Sequence, residues 1–302
     1  MKAEPAAPPF VDRRQVARRF ARAAADYPVG DFLAREIDRR MAERLDYVRL
    51  DPKRMLDLGC SRGGSFPALQ ARYPAARLYG LDLAAPMLQG MALAPSAWRR
   101  WLGRAPSGPL PLQADAAALP LKGASVDLVW SNLLLHWLDH PLPVFGEVNR
   151  TLASGGLFMF STLGPDTLRE LRAAFADGDA HTQRFTDMHD LGDMLLEAGF
   201  ADPVVDMESI TLTYDTVDAL FADLRAAGSA CAMTARRRGL LTPRRLAEVK
   251  AAYEALRAEG KLPATFEVVY GHAWKGEAKA AGEEKSGEKI IRFMARENRR
   301  QP

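Results

Sequence analysis

The residues best suited to chemistry fall in three short stretches. The first is Asp57-Leu-Gly59-Cys-Ser61-Arg-Gly63-Gly64, between an apolar run and a helical one. A tight strand-to-helix turn built of small residues lets backbone amides come close to a ligand. Its spacing departs from the Gly-x-Gly-x-x-Gly dinucleotide loop. The second is Asp82, 19 residues beyond Gly63. A carboxylate at that place, on a strand end, is positioned to accept ribose hydroxyls; it would equally serve as a helix N-cap. Leu83 and Met87 beside it are apolar groups of the kind one face of an adenine takes. The third is Gln113-Ala-Asp115-Ala116, followed downstream by Ser131-Asn132-Leu-Leu-Leu-His136-Trp137. His136 offers acid–base chemistry, although a single histidine beside a tryptophan more often shapes a pocket. Cys60 and Cys231 stand far apart with no Cys-x-x-Cys pair or Cys/His cluster. Neither a metal site nor a disulfide scaffold is expected, and a reducing cytoplasm is the default compartment.

These stretches need strands and helices to hold them. Met55–Gly59, Arg77–Asp82, Leu112–Asp115, Val126–Ser131 and Leu157–Ser161 read as short apolar strands. Helices are predicted over 63–73, from about Ala85, and over 141–153, the last ending at the Gly155-Gly156 pair. This β-α-β-α order implies an α/β fold, a doubly wound and mostly parallel sheet, with ligands at the carboxyl ends of the strands. Further helices are predicted at about 165–177 and 187–199, a strand at 204–213, helices at 216–227 and 243–258, and a last strand from Thr265 to Tyr270 towards Trp274. Residues 213–263 thus form a helical insertion before the last strand. Ahead of the sheet, Val16, Phe20, Ala24 and Tyr27 share one helical face, and a second helix runs from Asp31 to about Leu45. Residues 12–274 form the domain, with 12–45 as lid helices. Residues 1–11 are expected to be a flexible leader and 275–302 a charged, disordered tail. A short turn carrying Trp98 and Trp101 is expected within the Pro/Gly-rich stretch 95–111.

The chain of 302 residues is 48% hydrophobic and 26% charged, an ordinary globular mixture that excludes collagen-like and wholly disordered classes. No apolar run has the length of a bilayer span. With 41 basic and 38 acidic residues the net charge is only +3, too small a basic footprint for a nucleic-acid partner to be expected.

In order and spacing, the three stretches resemble the cofactor-binding motifs of class I S-adenosylmethionine (SAM) methyltransferases. Ser61 stands where that family's loop has its middle glycine. The resemblance implies a Rossmann-like fold and SAM as cofactor. It implies cofactor contacts for Asp57, Gly59, Ser61, Gly63, Asp82, Leu83, Met87, Asp115, Ala116 and Asn132, with Asp115 near the adenine amino group. It narrows with Phe160–Arg172, Asp187–Leu195, Leu212-Thr-Tyr214 and Phe266–Trp274, and with Phe20–Tyr27 as a lid helix. These look like the biotin-pathway malonyl-acyl carrier protein (ACP) O-methyltransferase family, whose members esterify the free carboxylate of a malonyl thioester. Leu135-His136-Trp137 and Arg62-Gly63 also resemble the complex I assembly factor branch of the same fold, which implies arginine hydroxylation or a non-methylating binding role as the alternative. Another small-molecule methyltransferase is a further alternative.

Methylation of a carboxylate needs no obligatory base, because the acid is already ionised at neutral pH. Tyr27, Asn132, His136 and Trp137, with Phe20, are therefore expected as pocket wall rather than as a catalytic dyad. Asp82→Ala is expected to weaken SAM binding with little change in the stability of the free protein. The expected partner is malonyl-ACP, which is acidic, or malonyl-coenzyme A. Two basic clusters are candidates to meet it: Arg13, Arg14, Arg18, Arg19 and Arg22; and Arg236, Arg237, Arg238, Arg244, Arg245 and Lys250, with Glu248 as the nearby acid.

Overall fold

The computed structural model of the protein describes residues 9–89, 91 and 108–276. Most of the expected leader, the turn around Trp98 and Trp101, and nearly all of the expected tail lie outside these residues.

In chain order the elements are α1 (Arg13–Ala23), α2 (Tyr27–Gly30), α3 (Phe32–Arg44), β1 (Arg54–Leu58), α4 (Phe66–Arg72), β2 (Arg77–Asp82) and α5 (Ala85–Gln89). Then come β3 (Leu110–Gln113), β4 (Val126–Ser131), α6 (Leu142–Thr151), β5 (Leu152–Leu163), α7 (Arg169–Phe175) and α8 (Met188–Glu197). The chain continues through β6 (Phe200–Tyr214), α9 (Val217–Ala226), α10 (Pro243–Glu254) and β7 (Leu262–Lys275). The sheet order is β3-β2-β1-β4-β5-β7-β6. Pairing is parallel from β3 to β5 and antiparallel where β7 joins β5 and β6. The doubly wound, mostly parallel sheet expected from the sequence is present.

Central strands are buried on both faces. Met55, Leu128 and Trp130 face one core with Ile37 and Met41 of α3, while Leu56, Leu58 and Val129 face the other with Phe145 of α6 and Leu191 of α8. A parallel sheet sandwiched this way reads as continuous apolar runs, as β1 and β4 do. The indole of Trp130 donates to Asp38 Oδ1 at 2.9 Å, tying α3 to β4. Burial pushes the Asp38 carboxyl up to about 6.

Helices α4, α7 and α10 are shorter than expected, and β3 begins at Leu110 and ends at Gln113. Four further differences bear on how the site is framed. The first helix breaks at Ala23 and Tyr27 begins a separate turn. Gly30 of that turn packs so closely on Ala226 and Ala227 that a Cβ has no room. Helix α6 ends at Thr151 and passes directly into β5, so Gly155, at φ +72°, lies inside a strand rather than in a helix cap. The β4–β5 register shifts between Val126 and Leu128, and the glycines sit at this irregular strand start. Strands β6 and β7 each outrun the predicted cores because they pair with one another along most of their length. The leader boundary at residue 11 falls inside a strap. Asp12 N–H donates to Ala232 O at 2.9 Å, Thr234 N–H donates to Phe10 O at 2.8 Å, and Val11 N–H donates to Asp139 Oδ1 at 3.0 Å. This strap fastens α1 to both the insertion and the segment after β4.

Candidate active site

Parallel pairing fixes the site. Leu58 of β1 lies beside Leu81 of β2, and Asp82 beside Gln113 of β3, so the strand ends finish on one edge of the sheet. The segments leaving that edge carry Gly59, Ser61, Asp82, Asp115 and Asn132. They open on a cavity of about 450 Å³, roofed by α1, α2 and the segment before α10. Leu83, Ala116, Tyr27, Phe20, His136 and Trp137 also line it.

The loop after β1 turns back at once. Gly59 and Cys60 N–H both donate to Leu81 O, at 2.8 and 3.0 Å. Gly59 has φ +77°, and a Cβ there would press on Leu134. Ser61 is also left-handed, at φ +47°, a conformation costly for a residue with a side chain. Its N–H donates to Asp82 Oδ2 at 3.0 Å, and its hydroxyl to Tyr27 Oη at 3.3 Å. Asp82 Oδ1 accepts from Ala84 N–H at 2.8 Å. Burial raises the Asp82 carboxyl above its ordinary value, while these backbone donors oppose the rise. Burial pushes the Tyr27 phenol up to about 12, so it stays a neutral hydrogen-bonding group.

Three expected contact residues lie behind the cavity wall rather than on it. Asp57 is buried beneath the loop, accepting from the Ser65 hydroxyl, and burial pushes its carboxyl up to about 8. Gly63 packs against the Phe66 ring. Met87 joins Ala23, Ala24 and Ala84 in a small core between α1 and α5.

Asp115 lies at the rim, paired with Arg13 of α1 and capping its own turn through Ala117 N–H at 2.9 Å. The lid helix therefore reaches across the cavity to the segment after β3. Asn132 is held on both sides: its amide donates to Ala34 O at 2.8 Å, and its carbonyl accepts from the Ser161 hydroxyl at 2.7 Å. His136 is buried against solvent but lines the cavity, with Nδ1 3.3 Å from Thr162 Oγ1. Burial pushes it down to about 3, so the imidazole is neutral near pH 7 and only weakly basic. Trp137 meets Phe20 edge-on at 5.0 Å, and His136 lies 6.0 Å from Phe185. These rings line the outer part of the cavity.

Sequence reasoning missed Gln183 and Phe185, which enter the lining from the loop between α7 and α8. Nothing in that loop's sequence marks them. It also placed Arg19 in a surface cluster, whereas Arg19 lines the cavity. At about 100° per residue Arg13 and Arg19 flank the apolar stripe of Val16, Phe20 and Ala23, while Arg14, Arg18 and Arg22 lie opposite. The second basic cluster has more acid partners than Glu248. Arg236 pairs with Asp12 at 3.3 Å, Arg237 with Asp179 at 3.9 Å, Arg245 with Asp177 at 3.4 Å and Lys250 with Asp218 at 2.7 Å.

Residues 56–160, which run from within β1 to within β5, match the family model described as a methyltransferase domain. A malonyl-[acyl-carrier protein] O-methyltransferase of Gallionella capsiferriformans is 47% identical over 267 residues, covering 88% of this chain and 91% of the relative. One from Laribacter hongkongensis is 47% identical over 289 residues, covering 94% and 96%. The chain belongs to the malonyl-[acyl-carrier protein] O-methyltransferase family. It is a class I methyltransferase, and these relatives bear the name of the biotin-pathway branch rather than of the assembly-factor branch. The fold likeness extends to the YcgJ protein of Bacillus subtilis, at TM-score 0.54 and 14% identity over 80% of this chain and 99% of that one. Among the described residues no helix is long and apolar enough to cross a membrane.

Proposed function

We propose that the cavity binds SAM along the ends of β1, β2 and β4, and that the protein methylates the free carboxylate of malonyl-ACP. The observation that carries this reading is the convergence of Gly59, Ser61, Asp82, Asp115 and Asn132 on one cavity that continues into an aromatic chamber under the lid helices. The residues fit the cofactor. Asp82 accepts from the backbone of Ser61, Ala84 and Leu83, but a carboxylate has about four acceptor sites, leaving room for a ribose hydroxyl. Leu83 and Ala116 supply apolar contact, and Asp115 an acceptor at the rim. Asp57, Gly63 and Met87 then act from behind: they shape the loop and seat α5 without touching the ligand.

SAM supplies a methyl group on a sulfonium, which a carboxylate oxygen takes without loss of a proton. The protein's task is to hold the acid in line and to keep water out. Phe20, Trp137 and Phe185 exclude water from the chamber. Neutral His136 and neutral Tyr27 place no competing charge beside the acid. The strap from Phe10 to Asp12 holds α1 over the site.

Transfer of labelled methyl from SAM to malonyl-ACP, malonyl-coenzyme A and free malonate tests the reading. Methyl ester on malonyl-ACP, with free malonate a poor acceptor, is the expected result. Folded, SAM-binding protein that labels none of the three overturns it. The coenzyme A arm decides whether the carrier protein is required.

A further inference from the structure

Two buried polar groups in the outer part of the cavity have no hydrogen-bond partner. One is Nε of Arg19 on α1; the other is Gln183, whose Nε2 and Oε1 are both unsatisfied although the residue is only 7% exposed. They lie on neighbouring segments. Arg19 is within electrostatic reach of the Cys231 thiol, and that thiol donates to the carbonyl of Thr182, next to Gln183, at 3.2 Å. Cys231 in turn packs with Val16 and Trp137 in the cluster that joins the lid to the insertion. Buried polar atoms are nearly always satisfied, and each exception asks for an explanation. A buried Nε–H of a charged guanidinium left without an acceptor is costly.

We propose that Arg19 is the specificity-determining cation that receives the malonyl carboxylate, with the Gln183 carboxamide as its neutral hydrogen-bonding neighbour. The inference rests on the methyl-transfer reading above. A carboxylate drawn out of water requires a charge-assisted partner, and a guanidinium fork suits it. The other charged candidates on the cavity are engaged or solvated. Arg13 is paired with Asp115, His181 with Asp177 at 2.6 Å, and Arg225 is exposed in the last turn of α9. Burial, followed by the nearby Arg236 and Arg22, lowers the Arg19 pKa from its ordinary value, yet a guanidinium remains charged at neutral pH. An anion beside it would relieve all three effects.

The chemistry balances without a proton. One carboxylate oxygen keeps a lone pair free and forms the new C–O bond as the methyl C–S bond breaks. The sulfonium becomes a neutral thioether and the carboxylate a neutral ester. The ester no longer answers the charge of Arg19, so the contact that selects substrate weakens on product. An acetyl thioester, which lacks the carboxylate, has nothing for Arg19 to hold.

The test measures binding and turnover of a short malonyl thioester and of malonyl-ACP by Arg19→Gln, Arg19→Lys, Gln183→Leu and Gln183→Glu. Affinity for S-adenosylhomocysteine, read by calorimetry, shows that each variant is folded with its cofactor region intact. Arg19→Gln is expected to raise KM at least tenfold for both malonyl substrates, to leave S-adenosylhomocysteine affinity within twofold, and to leave inhibition by the matching acetyl thioester unchanged. Arg19→Lys recovers part of the loss. Gln183→Glu loses more than Gln183→Leu, because it sets a second negative charge beside the substrate's own. Equal KM for Arg19→Gln and wild type, or an equal loss for acetyl and malonyl thioesters, overturns the inference. If the wild-type protein transfers no methyl group, the functional reading fails by itself. Calorimetric binding of the malonyl thioester to the S-adenosylhomocysteine complex then still decides the role of Arg19: a loss confined to Arg19→Gln upholds it, and no difference refutes it.

Discussion

The backbone N–H of Ser61 donates to Oδ2 of Asp82 at 3.0 Å, so the acid that ends β2 also closes the loop that follows β1. Its other oxygen caps Ala84 at 2.8 Å. The sequence alone left Asp82 as ribose acceptor or helix N-cap, with the expectation that its loss would spare the free protein. The structure gives it two tasks. Asp82→Ala should weaken SAM binding and should also destabilise the free protein by about 1–3 kcal/mol, because buried backbone donors lose their acceptor. Calorimetry and thermal denaturation check the two effects separately; unchanged stability without ligand would show that the loop does not depend on Asp82.

Ser61 holds φ +47° at a place where the family motif has glycine. Glycine adopts that conformation freely, and the left-handed region costs other residues on the order of 1 kcal/mol. Glycine also loosens the unfolded chain, which offsets part of the gain. The Tyr27 contact given up is a long one at 3.3 Å. Ser61→Gly is therefore expected to raise the melting temperature slightly with cofactor affinity retained. A fall in melting temperature would mean that the Ser61–Tyr27 contact outweighs the backbone strain.

Asp57 carries a pH signature. Its carboxyl moves from an ordinary 3.8 to about 8 on folding, mainly through burial. Between those values the folded chain keeps a proton that the unfolded chain has released. Its contribution to stability is present below about pH 4 and is lost as pH rises to about 8, at up to about 1.4 kcal/mol per pH unit. Asp57→Asn cannot ionise and its amide oxygen still accepts from Ser65. The stability of wild type relative to Asp57→Asn should fall from pH 6.5 to 8. The buried His136, with its lowered pKa, contributes its own pH dependence below that window and with the opposite sign. Parallel denaturation curves for the two proteins across that window would refute the shift.

The sheet and its ligand edge were legible because parallel strands buried on both faces leave continuous apolar runs, and because a loop beside a strand end needs small residues. Gly59, Asp82, Asp115 and Asn132 could be placed for that reason. The roof was harder to read. Gln183 lies in a loop with no periodicity, and only the fold brings it under α1. Asp57 and Met87 carry the right types beside the motif, but pleat and helix phase turn them inward. The pairing of Arg236 with Asp12 links residues 224 positions apart, which no local pattern reveals.

Through its depressed basicity, His136 sets this site apart from one whose histidine base titrates near neutral pH. It is pushed down to about 3 and rests on Thr162. The substrate acid ionises well below neutral pH. The rate of methyl transfer from the bound complex should therefore be flat from about pH 6 to 8, and His136→Gln should keep that flatness even if KM changes. A single ionisation near pH 6.5 in single-turnover rates, absent from His136→Gln, would restore the histidine as an acid–base group.

The last prediction concerns the carrier. Arg14, Arg18 and Arg22 repeat every fourth residue on the exposed face of α1. Like charges at that spacing destabilise a helix by a few tenths of a kcal/mol per pair, and among the described residues only Arg18 of the three is within electrostatic reach of an acid, Asp12, which already pairs with Arg236. Arg236 and Arg237, by contrast, already answer Asp12 and Asp179. If an acidic carrier is drawn electrostatically to the lid, the exposed row on α1 is the stronger attractor, since rim charges act mainly on encounter and are screened by salt. Arg14→Glu combined with Arg18→Glu should raise KM for malonyl-ACP several-fold and flatten its salt dependence, while a short malonyl thioester reacts as before. Arg237→Glu should do less, because it also leaves Asp179 without its partner and so changes local structure more than the long-range field. Equal loss on both substrates would place the α1 arginines in the fold or the chamber. A larger effect from Arg237 and Arg238 than from Arg14 and Arg18 would move the docking face to the insertion.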